Sequence, residues 1–431
     1  MSAHFNWRAQ VVIASFAFRL LATAVRADDW PQWRGPNRDG VWRETDVLQT
    51  FPPGGLSVRS RAPVDMGFST PVIAQGRVYV TDATTQKPRA WERVHCFDEK
   101  SGAPLWTHSY EVKFPDWAFD PQNKNGPAST PIVEAGKIFA LGITGQLFCL
   151  DAQSGAVVWE RNLGPDYDLA EFSGTTPSPL IEGDLLIIVI GGKPNACVVA
   201  LDKNSGKEVW RALDDRWTYS SPAIIDAGGK RQLIVWTTKA VTSLDPATGR
   251  TNWRELFNTE GAYATATPVF QDGLLLLSGS MFQLDPAGVK PSLLWPQSAA
   301  PAKRVLSQTS LPLIEDGHVF SDKSFGNLVC LEARTGKQLW LAGDVTDHKN
   351  GACIHLTPNG SSTLLFTNEG NLIRAQLSAQ GYKELSRVHV LDPTYPFAGR
   401  KVIWPPPAYA NRHIFVRNDE ELISASMAAK P

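Results

Sequence analysis

The chain predicts an all-β fold: an eight-bladed β-propeller of four-stranded blades, closed into a ring by an N-terminal strand. Three observations carry this expectation. First, a phrase ending in tryptophan recurs. "CFDEKSGAPLW" ends at Trp106, "CLDAQSGAVVW" at Trp159, "ALDKNSGKEVW" at Trp210, "SLDPATGRTNW" at Trp253 and "CLEARTGKQLW" at Trp340, with a damaged copy, "QLDPAGVKPSLLW", ending at Trp295. Second, a phrase built from a small polar residue, a proline and an apolar run occurs eight times, from "STPVIAQGRVYV" at 69–80 to "PPPAYANRHIFVRN" at 405–418. Third, the tryptophans lie 53, 51, 43, 42 and 45 residues apart, which is the period of a propeller blade.

Each unit divides into four short apolar strands separated by Gly, Asn, Asp or Ser turns. The first strand follows the proline and the second follows the first glycine turn. The third ends in Leu-Asp and the fourth ends at the tryptophan. Runs of five to seven apolar or alternating residues, broken by glycine, do not sustain a helical stripe. In the turn D-x-x-[ST]-G, the carboxylates of Asp98, Asp151, Asp202 and Asp245 are expected to cap backbone N–H groups. The glycine supplies the positive φ that ends the turn. Trp106, Trp159, Trp210, Trp253, Trp295 and Trp340 are expected to pack as flat wedges against the neighbouring blade, a structural role. A seventh copy, "RAQLSAQGYKELSRV" at 374–388, has neither the aspartate nor the tryptophan. The last unit has residues for three strands only. "LSVRSRAPV" at 56–64 is expected to supply the fourth, so that the termini clasp and no open edge remains.

Residues 1–27 read as a secretory leader, with Arg8 in a polar head, the apolar run "VVIASFAF", and Val25 and Ala27 at the −3 and −1 positions of a cleavage site. Residues 28–55 form an extension packed on the propeller, which occupies 56–431. The extension's tryptophans, in "DWPQWRGPNRDGVW" at 29–42, are expected to cover the outside of the ring. The mature protein is expected to be exported and soluble, periplasmic or extracellular, with no membrane span. A formal net charge of −1 gives no bulk attraction to nucleic acid. Cys96, Cys149 and Cys330 occupy the repeat position held by Ala200, which reads as a small buried strand site. With Cys197 and Cys353, they are expected to be free thiols with no zinc-ligand spacing.

The copies of [AC]-L-D-x-x-[ST]-G-x-x-x-W resemble the pyrroloquinoline-quinone (PQQ)-like repeat of quinoprotein alcohol dehydrogenases and of BamB, a propeller subunit of the outer-membrane protein assembly machinery. The resemblance covers residues ~56–427 and implies the propeller fold. Both enzymes and non-enzymes carry this repeat, so it leaves function open. The quinoprotein enzymes use PQQ, a calcium ion, a catalytic aspartate and a disulfide between adjacent cysteines. This chain has no Cys-Cys pair, and no calcium-ligand set can be matched residue by residue. No catalytic residue and no metal ligand is therefore assigned, and no cofactor is expected. PQQ with calcium belongs to the alternative, a PQQ-dependent dehydrogenase.

There is no Gly-x-Ser-x-Gly elbow, phosphate loop or His-Glu-x-x-His motif. Asp347, His348 and His355 fall near one blade junction, where surface histidines are the ordinary reading. The residues before each proline phrase should line one mouth of the channel: Phe68, Asn125, Phe172, Trp217, Tyr219, Tyr263, Gln308, His355 and Trp404. Of these, Phe172, Trp217, Tyr219, Tyr263, His355 and Trp404 are the candidates for contact with a ligand or partner. Arg216 and Lys349 are the nearest cations in sequence. The leading function is a non-catalytic envelope scaffold with an unidentified protein, small-molecule or glycan partner. A polysaccharide-related binding role is a further alternative. The leader reading has a direct check: N-terminal sequencing of exported protein should begin at Asp28, and retention of residues 1–27 would refute it.

Overall fold

The structure, a computed structural model, describes residues 28–169, 174–256, 264–296, 306–323, 325–349 and 351–429. The proposed leader, Phe172 and Tyr263 lie outside the described residues.

Eight four-stranded antiparallel sheets form the eight blades of a β-propeller. Seven are consecutive in sequence, at residues 72–112, 132–162, 180–212, 223–256, 269–295, 313–342 and 354–389. The eighth joins three strands from 408–426 to Val58–Pro63, which pairs antiparallel with Glu421–Ser426. The terminal clasp is therefore formed by the segment the sequence predicts. First strands of adjacent blades touch one another and surround the channel. The apolar core is divided among the seams, where one blade's face packs on the next, as in the cluster of Phe139, Leu147, Ile188 and Val199. The tight turns after each first and third strand share one face of the ring, here the turn face. The links between blades lie on the other, the connection face.

Each repeat tryptophan reaches across a seam. The indole N–H groups of Trp106, Trp159, Trp210 and Trp295 donate to the carbonyls of Ala152, Lys203, Pro246 and Ala333. Each of these residues directly follows the acidic residue of the next blade's turn. Trp253 donates to Gly288 and Trp340 to Ser378. Four of these rings lie over glycine. A Cβ on Gly155, Gly206, Gly249 or Gly336 would sit 2.5–2.8 Å from the tryptophan of the preceding blade. Glycine is thus required twice, by its positive φ (71° at Gly249) and by the ring above it. Within the turns, Asp98, Asp151 and Asp202 accept from a serine N–H at 2.8 Å and from its hydroxyl at 2.6–2.7 Å, and Asp245 accepts from the N–H groups of Ala247 and Thr248.

The missing seventh tryptophan has a topological cause. The eighth blade takes its outer strand from the N-terminus, so no turn joins its third and fourth strands and no carbonyl awaits an indole. At that seam Phe51 packs in a cluster with Val388 and Leu391, and the N–H of Phe51 donates to Ser386 Oγ at 2.7 Å. At the seam between blades eight and one, Ser60 sits over Gly102 in place of a tryptophan.

The extension does not cover the outside of the ring. Trp30 pairs with Ile73 in the first strand of blade one, and Pro31 accepts from Val133 in blade two. Trp33 donates to Thr267 Oγ1 in blade five. Arg38 donates to the Pro179 and Pro222 carbonyls at 3.0 and 3.2 Å. Trp42 stacks on Tyr409 of blade eight and its backbone N–H donates to the Pro358 carbonyl of blade seven. Residues 29–44 therefore cork the turn-face end of the channel. Trp30 and Trp42 are buried there because the channel wall offers both apolar surface and unpaired strand edges.

Removing residues 56–64 should expose two strand edges and abolish cooperative unfolding or cause aggregation. A deletion variant that stays monomeric with an unchanged melting temperature would mean that the ring closes in another way.

Candidate functional site at the connection face

In blades one to five the residue before the proline lies on a collar around the channel. The N–H of Thr70 donates to Thr130 Oγ1, that of Thr130 to Ser178 Oγ, and that of Ser178 to Ser221 Oγ, at 2.9–3.1 Å. This is why a small hydroxyl residue stands there. The following proline holds it extended, and its side chain links it to the preceding blade. Thr267 keeps the hydroxyl in blade five and accepts from Trp33.

The collar breaks in blades six to eight. By strand register, the equivalent positions hold Leu311, His355 and Pro406. Proline has no N–H, so Thr70 Oγ1 is left without a partner. A ring that departs from its own rule in one sector marks that sector for function.

His355 is buried at 4% exposure, unlike the surface histidine expected. Its Nε2 donates to the Trp404 carbonyl at 3.0 Å, leaving Nδ1 buried without a partner. Burial lowers its pKa to about 4, so the ring is neutral at physiological pH. Cys353 Sγ is 3.9 Å from His355 Nε2, and burial pushes its thiol well up. The thiol is therefore not a ready nucleophile. All five cysteines are buried and free. Beside Cys353 lies Asp322 of blade six, wholly buried. Burial pushes its carboxyl up to about 8, against the smaller opposing effect of the Ser310 hydroxyl and its own backbone N–H.

A two-stranded hairpin, Tyr395–Phe397 with Arg400–Val402, lies over this sector. Phe397 meets Trp404 edge-on at 5.2 Å, and Arg400 pairs with Asp347 at 2.6 Å. Tyr395 packs edge-on against Phe68 at 5.3 Å, and its hydroxyl feels Asp419 and Tyr219. The hairpin also touches Pro121–Asn123, in the link between blades one and two. On the opposite side of the mouth, Trp217 stacks on Tyr219 at 5.2 Å, and Cβ atoms on Gly174 or Gly191 would collide with its ring or lie tight against it. Trp217 is only 6% exposed. Arg216 lies 5.7 Å from that ring. Asn125 is half-buried and Gln308 serves through its backbone carbonyl, while His348 and Lys349 are exposed. Among the described residues, no three His, Cys, Asp or Glu side chains are grouped to hold a metal ion.

Two polar clusters were not legible in the sequence. Asp82 accepts two bonds from Arg93 at 2.7 Å and one from His95 at 3.0 Å. Burial raises its pKa, but these partners hold it well below the usual carboxylate range. Arg417 of blade eight bridges to the carbonyls of Thr81 and Asp65 nearby, so this satisfied network fastens the closing seam. The second is Glu92, buried between blades one and two. It accepts from Tyr110 Oη and the Ile143 N–H, both at 2.9 Å.

A family profile described as outer membrane protein assembly factor BamB matches residues 90–284. That match spans just under half of the chain, which is similar in sequence and fold to PQQ-like β-propeller proteins. Among these similar proteins, BamB of Yersinia pestis is 22% identical over 58% of this chain and 68% of its own. The 1-butanol dehydrogenase (cytochrome c) of Thauera butanivorans is 32% identical over 28% of this chain, a match spanning only 16% of that enzyme. In fold, BamB from Moraxella catarrhalis superposes with a TM-score of 0.58 at 17% identity, over 86% of this chain and 99% of that one. Quinohemoprotein alcohol dehydrogenase from Comamonas testosteroni gives 0.64 at 14% identity, over 95% and 82%.

Proposed function

We propose that this chain is an exported, non-catalytic scaffold propeller of the cell envelope that docks a protein partner on its connection face. The observation that carries the reading is the pair of closed mouths. The extension corks one end of the channel and the hairpin covers the other, while large aromatic side chains remain on the outer surface of the connection face. Trp117 and Phe325 are 49% and 55% exposed there. Exposed aromatics of this size are the usual anchors of protein interfaces. The similarity to BamB, extending over 68% of the Yersinia pestis protein, supports the same reading. An envelope location fits the leader at 1–27, and no helix among the described residues is long and apolar enough to cross a membrane.

The second reading, a PQQ-dependent dehydrogenase, is favoured by the quinoprotein relatives. The mouth residues fit the cofactor poorly. PQQ is a flat tricarboxylate that needs stacking faces, cations for its carboxylates and a calcium site. Trp217 is already packed by Tyr219, Gly174 and Gly191, and Arg400 is paired with Asp347. Desolvating three carboxylates without partners is unfavourable.

Titration of PQQ with calcium should give a dissociation constant weaker than roughly 0.1 mM. Saturable nanomolar binding would put the dehydrogenase first. In parallel, the protein should retain an envelope protein from extract, and Trp117→Ala with Phe325→Ala should weaken that binding by about 2 kcal/mol, or roughly thirtyfold. Unchanged retention would move the docking site off this face.

A further inference from the structure

The cover over the connection-face mouth has two supports, and a buried carboxyl with no cationic partner among the described residues stands under each. The first support is the link from blade one to blade two. Its Phe114 and Ala118 pack with Ala83, Ala90, Val112 and Ile143, and its later residues touch the hairpin. Glu92 sits against this cluster and holds Ile143 by the backbone N–H. Space there is tight, because a Cβ on Gly142 would be 2.2 Å from Glu92 Oε2 and 2.4 Å from Tyr110 Oη. The second support is the segment 351–355 beneath the hairpin's exit. Gly351 underlies Phe397 and Trp404, the Ile403 N–H donates to the Asn368 carbonyl, and Asp322 is the carboxyl neighbouring Cys353.

We propose that this cover is a proton-gated lid, held closed while Glu92 and Asp322 are protonated and loosened as they ionise. The groups that face each carboxyl explain why. From blade one's outer strand Glu92 meets only the Tyr110 hydroxyl, and from blade two only the backbone of Gly142 and Ile143. Asp322 meets the Ser310 hydroxyl and the Cys353 thiol. Arg400 and Asp347, which also face Cys353, are engaged with each other. Among the described residues, a carboxylate formed at either place has no counter-ion, and water is its best alternative. Water reaches these sites only when the supports move. Burial accordingly raises Glu92 to about 7 and Asp322 to about 8.

The sign follows from proton linkage. Between the ordinary carboxylate range and these raised values, the closed form binds protons that the opened form releases. Raising the pH therefore favours opening, by up to about tenfold per pH unit for each carboxyl, and the effect levels off above the raised values. The lid is tightest in mild acid and loosest at neutral to slightly alkaline pH, whatever binds beneath or upon it.

Amide hydrogen exchange of the full chain tests this. Protection at 113–125 and 395–404, corrected for intrinsic exchange, should fall by roughly tenfold to a hundredfold between pH 5 and 8 and then level off. Strands of blades three and four should show no such change. Glu92→Gln should flatten the response at 113–125, and Asp322→Asn that at 395–404. A flat profile in the unaltered protein would overturn the proposal without reference to any variant. So would an unchanged slope in the folded variants.

Discussion

The tryptophan laid over glycine, repeated at four of the seams, is the contact on which the ring depends. A four-stranded blade buries little by itself. Its faces become core only when the next blade covers them, so stability rests on a nearest-neighbour term repeated around the circle. Trp106, Trp159, Trp210 and Trp295 fix that neighbour in two ways, by ring packing on a bare backbone and by an indole N–H on the carbonyl beside it. With the seams set, the first strands fall into register around the channel, and the hydroxyl collar from Thr70 to Ser221 can form. The two seams that cannot use a tryptophan are those made by the clasp, and the N-terminal segment serves both.

The architecture was legible because a repeat states its rule many times. Strand order, blade number and the closing strand follow from the period and from the shortfall of one strand in the last unit. The purpose of two repeated signals was not legible. Glycine in the D-x-x-[ST]-G turn accounts for itself locally by its φ, which hides the tryptophan of the preceding blade above it. The hydroxyl before proline bonds to a residue 43 to 60 positions away, and no local pattern announces that. The tryptophans at 30, 33 and 42 were read as an outer cover because their partners, Ile73, Thr267 and Tyr409, are recognisable only once the ring is closed.

The candidate site was half legible. His355 and Trp404 were found as mouth residues, and they meet through the Trp404 carbonyl. Asp322 and Glu92 are not legible in the sequence: Asp322 ends its strand and resembles any solvated turn residue, and Glu92, within the strand Arg89–Asp98, lies between Trp91 and Arg93 like any outward-facing strand residue. Tyr395 and Phe397 belong to a hairpin outside the repeat. Irregularity carries the information here. Blades one to five obey the collar rule and form a frame, whereas blades six to eight replace it with Leu311, His355 and Pro406 beneath an inserted hairpin. A fold shared between scaffolds and dehydrogenases does not itself carry function, which depends on the groups a particular chain adds to it.

The seam account is tested most directly by comparing two glycines that share a backbone conformation and differ in what lies above them. Gly249 and Gly76 have φ of 71° and 76°. A Cβ at Gly249 would be 2.5 Å from Trp210, whereas at Gly76 nothing lies within 4 Å. Alanine at either position carries the same left-handed strain, about 1 kcal/mol. Denaturant unfolding should show Gly249→Ala costing at least about 2 kcal/mol more than Gly76→Ala, the scale of overpacking against a ring that cannot retreat. Equal losses in the two variants would contradict the claim that tryptophan on glycine holds the blades together.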